Sequence, residues 1–172
     1  KKLFHPKEYQ LYIGRILLLI IIGFMQSALI CLGDLFFLGI QCKHPVMFVL
    51  TGMFTSFVYV NLIYALTVSF GDIGKAIAVV LMVMQVAGSG GTFPIQCAPK
   101  FFQVVYPLLP FTHSMNAMRE CIAGFYRTTY ATELGKLAIF LVPSLLLGLL
   151  LRKPIIKMND AFMEKLESTH LI

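Results

Sequence analysis

Charge is what this chain has least of. Asp and Glu together number 8 in 172 residues, and all charged residues make up 13% of it. Soluble domains carry roughly 25% charged and about 45–50% apolar residues. Here 58% are apolar and mean hydropathy is +0.82, far more apolar surface than a soluble chain of this length could hide. Signatures of catalysis are also missing, so no enzyme activity is expected. Ala87-Gly88-Ser89-Gly90-Gly91 has the look of a degenerate nucleophile elbow, yet that elbow needs a strand before its serine. An apolar helix-like run precedes this one. The same glycines lack the Lys-Ser/Thr that completes a phosphate-binding loop, so the chain carries no nucleotide-hydrolysing motif. His5, His44, His113 and His170 are isolated, with no metal-ligand spacing, and no metal or other cofactor is expected. No basic patch is interleaved with aromatics, which excludes a nucleic-acid partner.

What is there is hydrocarbon-seeking helix. A span needs about 20 mainly apolar residues, and four stretches qualify: 16–40, 46–70, a short one at 73–91 ending in the glycine cluster, and 134–151. Pro143 in the last predicts a kink rather than a stop. The expected architecture is an all-α polytopic membrane protein with the lipid bilayer as its first partner. Lys1, Lys2, Lys7, Arg15, Lys75, Arg152, Lys153, Lys157 and Lys165 fall on one side of these spans. The other side holds fewer basic residues over a longer stretch. By the positive-inside bias both termini of the chain face the cytoplasm. The net charge of +6 then reflects that bias and anionic headgroups. Cys42 and Cys97 share the outer side and either pair or remain free thiols, since spacing does not fix connectivity.

Between Gly88 and Tyr126 the apolar pattern breaks, first at GSGG and then at Pro94, Pro99, Pro107 and Pro110. Broken backbone at membrane depth persists only against protein or a water-filled cavity, so 92–127 reads as an outer loop or a re-entrant plug. Within it, Thr112 or Ser114 is expected to cap a short helix that Gly124 ends. Met115, Met118, Ile122 and Phe125 would share one face. About 12 residues rise only about 18 Å, too little to cross a roughly 30 Å core. Arg119 and Glu120 either reach water from an interfacial helix or hold an outer exit closed. Gly88, Gly90, Gly91, Pro94 and Pro110 complete that candidate gate.

Polar residues in the spans have two readings each. Asp34 is the one acid inside a span, placed near its outer end, and is either a hydrated interfacial carboxylate or a proton or substrate site. Thr51, Thr55, Tyr59 and Asn61 mark either helix–helix packing or a polar pathway. The tail, 152–172, is patterned as an amphipathic helix capped by Asn159, with Met158, Phe162 and Leu166 on one face. It would lie under the bilayer or dock a cytoplasmic partner.

The outer segment carries a family resemblance. Gly90–Pro94 reads GGTFP, Pro99 precedes Phe101-Phe102-Gln103, and Leu109-Pro110-Phe111-Thr112, Asn116–Glu120 and Gly124 follow at tight spacing. With His44-Pro45 and Phe70–Lys75 outside it, the pattern resembles the C-terminal membrane region of the YhgE/Pip family. These are bacterial plasma-membrane proteins within the type-2 ABC exporter permease superfamily. The resemblance implies six spans, of which this chain would hold the last four. It also implies short outer helices at Lys100–Tyr106 and Thr112–Phe125. The chain opens on Lys-Lys-Leu-Phe without an initiator Met or signal peptide, and an N-terminal span and an extracellular region of the same protein are expected upstream. The resemblance further implies a homodimer and a separate ATPase subunit. That ATPase would be met by a coupling-type segment at 1–15, with Pro6, Tyr9, Tyr12 and Arg15 as the candidate contacts. The expected function is an exporter permease subunit moving substrate outward. The alternative is a non-transporting membrane anchor for a large extracellular region used by phage or a secretion machine.

Overall fold

The computed structural model describes residues 8–91, 94–124 and 126–150, which form helices and turns with no strand among them. The expected tail helix at 152–172 and Pro6 lie outside the described residues. Helix α1 (Glu8–Phe36) starts inside the expected coupling segment and runs past Arg15 without a break. From Glu8 onward that segment is therefore helical and continuous with the first span, whose apolar stretch begins at Ile13. α1 stops at Phe36, short of Ile40, where the Gly33 carbonyl accepts the N–H groups of Phe37 and Leu38. Gly39, at φ +62°, then turns the chain. α2 (Pro45–Phe70) opens on proline at its first position, where no N–H is needed. It ends at Gly71, whose φ of +60° lets α3 (Asp72–Gly88) fold straight back beside it.

Three helical stretches are long and apolar enough to cross a membrane: 13–36, 45–70 and 127–148. The expected count was four. α3 is the exception, because it stops at Gly88 after 17 residues, a rise of about 26 Å against a core of about 30 Å. The rest of the same face of α2 is covered by a second piece. After α4 (Lys100–Val105) comes α5 (Pro110–Ala123), and both α3 and α5 pack along α2. Gly74 of α3 lies on Leu66, and Gln85 accepts a hydrogen bond from the Tyr59 hydroxyl. Phe111 of α5 stands edge-on to Tyr59, while Cys121 reaches Thr51 and its carbonyl takes the His44 N–H. α3 thus covers α2 from Leu66 to Tyr59, and α5 continues from Tyr59 to His44. This part of the chain follows α2 in two helices laid end to end.

The last crossing begins earlier than expected, at Arg127. α6 (Arg127–Ile139) and α7 (Leu141–Leu145) meet at Phe140, and a π-helical turn follows at Leu146–Leu150. Pro143 lacks the N–H that would bond Ile139, which accounts for the interruption one turn before it. Register along α2 is set at both ends, by Tyr130 Oη on Thr51 Oγ1 at 2.8 Å and by the Ser69 hydroxyl donating to Leu147 O at 3.1 Å.

α5 departs from its expected pattern. Its N-cap is Leu109, not Thr112 or Ser114, because Pro110 already starts the helix. Gly124 does end it, at φ +146° with its N–H on Glu120 O. The face turned inward carries Pro110, His113, Ser114, Ala117 and Cys121, small and polar residues, rather than the methionines. Small side chains let α5 approach α2 and α6 closely. Met118 and Ile122 fill in beside the buried cluster of Cys31, Phe48, Ala117, Cys121 and Tyr130.

The close α2–α3 contact is directly testable. A Cβ on Gly74 would overlap the Leu66 carbonyl, which cannot move, whereas one on Gly135 meets nothing within 4 Å. Gly74→Ala should destabilise the detergent-solubilised protein by about 1–3 kcal/mol through overpacking. Gly135→Ala should be neutral or stabilise by up to about 1 kcal/mol. Equal unfolding midpoints for the two variants would rule out the packing described.

Candidate functional site

The chain between α3 and α5 is held open by backbone chemistry. Ser89 closes α3 with its N–H on Gln85 O, and Gly90, at φ +65°, takes a conformation that β-carbon-bearing residues rarely adopt. Gly88 sits 3.0 Å, measured from an added Cβ, from both Leu109 and Phe102, so the helix end and α4 approach closely there. Pro94 leads into a single 3-10 turn, Ile95–Cys97. The Gln103 side-chain amide pins that turn by donating to Gln96 O at 3.3 Å and Ala98 O at 2.8 Å. A second such turn, Tyr106–Leu108, redirects the chain into α5.

Arg119 on α5 reaches across this break. Its Nη2 donates to the Gly90 carbonyl at 2.8 Å. Glu120, its neighbour, turns the other way and accepts the Tyr126 N–H at 3.0 Å, bracing the α5–α6 turn. The two charges therefore hold different parts of the outer segment rather than each other. Beside Arg119 lies an open cavity of about 380 Å³, lined also by Gly90, Gly91, Pro94, Gln96 and Tyr106. Four of the seven residues expected at the outer exit thus line one cavity, Gly90, Gly91, Pro94 and Arg119, while Gly88 packs on Leu109 and Phe102. Pro110 is buried at the start of α5, and Glu120 is occupied at its far end.

A buried polar cluster that spacing did not disclose supports α5 from behind. His113 Nδ1 lies 2.6 Å from Glu133 Oε2, and its Nε2 lies 3.0 Å from the Pro107 carbonyl. A carbonyl can only accept, so Nε2 carries a proton, and Nδ1 and the Glu133 carboxyl share the other one. Lys136 donates to the second carboxyl oxygen at 2.9 Å. This cluster ties the turn before α5, α5 itself and α6 together. His113 and Glu133 are 20 residues apart and belong to different helices, so neither motif nor periodicity links them. Thr51 makes the corresponding tie further out, bonding Tyr130 and lying 3.7 Å from Cys121 Sγ.

The other candidate residues are dispersed. Asp34 is half-buried in the last turns of α1. Thr55 and Asn61 bond back to their own helix, at Thr51 O and Phe57 O. Tyr59, between them, crosses to Gln85 on α3. Tyr9 and Tyr12 lie on the first turns of α1 and Arg15 is exposed. All four cysteines are free; Cys42 Sγ lies 3.2 Å from Cys121 O and Cys97 is exposed.

Comparison with known proteins places these features. The family model described as "ABC-2 family transporter protein" matches residues 6–150. A protein of Bacillus subtilis (strain 168), described as "Uncharacterized protein YhgE", is 30% identical over 116 residues, which is 67% of this chain. The chain covers 15% of that relative's length. No solved structure matches.

The buried cluster yields a double-mutant test. His113→Leu and Glu133→Leu should each cost about 3–5 kcal/mol, since each strands a buried polar partner. The double variant should cost less than either. Lys136→Ala, at a half-exposed position, should cost no more than about 1 kcal/mol. Reversible unfolding in micelles reads all four, and additive single effects would disprove the coupling.

Proposed function

Since the chain belongs to the ABC-2 family of transporter proteins, we propose that it forms the membrane region of a YhgE-like exporter permease, moving a substrate outward when a separate ATPase acts on it. The observation that carries this reading is the crossing made in two pieces, with the Arg119–Gly90 contact and an open cavity at the joint. A continuous helix has one packing arrangement on its neighbour. Two half-length helices joined by glycine and proline can shift relative to each other, and a transporter needs two global arrangements. In this reading both termini of the chain face the cytoplasm and the cavity faces outward. Two copies make the functional unit. The early turns of α1 receive the ATPase, and because they continue into the first span without a break, a push there passes along one rigid helix to the packed α1–α2 pair. Arg119 then acts as the latch of the outer exit, released when α3 and α5 separate.

Partner content decides between this and a passive anchor. Full-length protein purified in mild detergent should bring down an ATPase subunit in stoichiometric amount by mass spectrometry. Alanine at both Tyr9 and Tyr12, one helical turn apart on α1, should weaken that association about tenfold, equivalent to about 1.4 kcal/mol. An intact protein with no ATPase would instead favour the membrane anchor of an extracellular region.

A further inference from the structure

The cavity beside Arg119 has a neighbour of opposite character. A second cavity of about 390 Å³ lies against it, with Gly90 and Ile95 lining both. The first presents Arg119, Gln96 and Tyr106; the second presents Ala87, Ala98, Pro99 and Phe102. Each volume falls within the about 300–1,000 Å³ of ligand sites. Among the described residues lining either cavity, Arg119 is the one ionic side chain. Its guanidinium has five N–H donors, of which Gly90 O takes one. Glu120, the nearest acid in sequence, is engaged at Tyr126. A glycine floor allows a headgroup to approach the backbone, and beneath it Ser89 Oγ is buried without a hydrogen-bond partner among the described residues, 3.4 Å from where a Gly91 Cβ would stand.

From this juxtaposition we infer that the two cavities form one bipartite site for an anionic amphiphile. A phosphate- or carboxylate-type headgroup seats on Arg119 over Gly90 and Gly91, and an apolar chain occupies the trough of Ala87, Ala98 and Phe102. Planar guanidinium is suited to two-pronged recognition of such a group. The headgroup competes with the Gly90 carbonyl for Arg119, so binding loosens the contact that joins α5 to the end of α3. This deepens the permease reading by naming its ligand class. The same chemistry has two sources, a phospholipid of the surrounding bilayer or a separate lipid-like substrate.

Cys97 supplies the reporter, since it lines the apolar cavity and is exposed, while Cys31 and Cys121 are buried. Full-length protein in phosphatidylcholine nanodiscs is treated with N-ethylmaleimide, and labelling of the Cys97 peptide is followed by mass spectrometry. No ATPase is present, so the result is independent of whether one couples to the protein. Dodecyl phosphate at saturation should slow labelling about tenfold or more, the protection expected for about 1.4 kcal/mol or more of net occupancy. Dodecyl maltoside and inorganic phosphate should not. Arg119→Gln should remove the protection, read as the ratio of liganded to unliganded labelling within that variant, and Arg119→Lys should retain part of it. Ile95→Trp, which fills the wall common to both cavities, should remove it with the arginine intact. Nanodiscs containing phosphatidylglycerol separate the sources: protection there without added ligand identifies a bilayer lipid, and protection by dodecyl phosphate alone identifies a separate substrate. Equal protection by the maltoside or by inorganic phosphate, or full protection in both Arg119→Gln and Ile95→Trp, would overturn the proposal.

Discussion

One carbonyl organises the end of this protein where α3, α4 and α5 meet. Where α3 ends against other apolar helices, the backbone must find partners from within the protein, because apolar surroundings offer none. Ser89 and Gly90 turn the chain out of the helix, and the Gly90 oxygen is answered by Arg119 from a helix 29 residues further on. That hydrogen bond fixes where α5 sits relative to α3. The position of α5 in turn determines the cavity between them, the seat of Pro110 and the line on which α6 descends. An arginine is suited to the task, since its long stem lets the charged end stay near water while one donor turns inward.

α2 is the reference against which everything else is laid. α1 packs on it through Gly23 and Gly52, where an added Cβ would collide with Ser56 or Cys31. α3 and α5 succeed each other along a second face, and α6 with α7 descends a third. The polar residues of α2 match this arrangement. Thr51, Tyr59 and Ser69 each reach a different neighbouring element, whereas Thr55 and Asn61 bond to α2 itself. Hydroxyls therefore act as register marks between helices, and each closes a bond that would otherwise face apolar surroundings. Glycine and hydroxyl together give α2 both the close approach and the specificity that apolar packing in lipid does not supply.

Much of this was legible in the residues. Long apolar runs revealed α1, α2 and the last crossing, prolines revealed the broken segment, and Gly124 revealed the end of α5. Other features were hidden for physical reasons. Residue counting treated 73–91 as a span because hydropathy continues up to the glycines, but Gly90 takes a left-handed turn just beyond the end of the helix. Patterning grouped Met115, Met118, Ile122 and Phe125 on one face of α5, and did not single out the small residues that pack deepest. Between α2 and α6 the scarce commodity is room, so Ala117, Ser114 and Cys121 point inward instead. His113 and Glu133 carry no local signature, since their pairing exists only after the Gly124 turn brings two helices together.

The divided crossing also governs how the protein can be built into a membrane. α5 carries His113, Arg119 and Glu120 in 14 residues, and charged residues at the centre of an inserting helix cost about 2.5–3.5 kcal/mol each on the insertion scale. Such a segment has no reason to leave the translocon for lipid by itself. It becomes soluble in the membrane only once Glu133 of α6 and the Gly90 carbonyl are present to receive its polar groups. α1, α2 and α3 must therefore already be in place, and α5 must enter with α6 as a hairpin. The assembly order of this protein is written into a short helix that carries its charges.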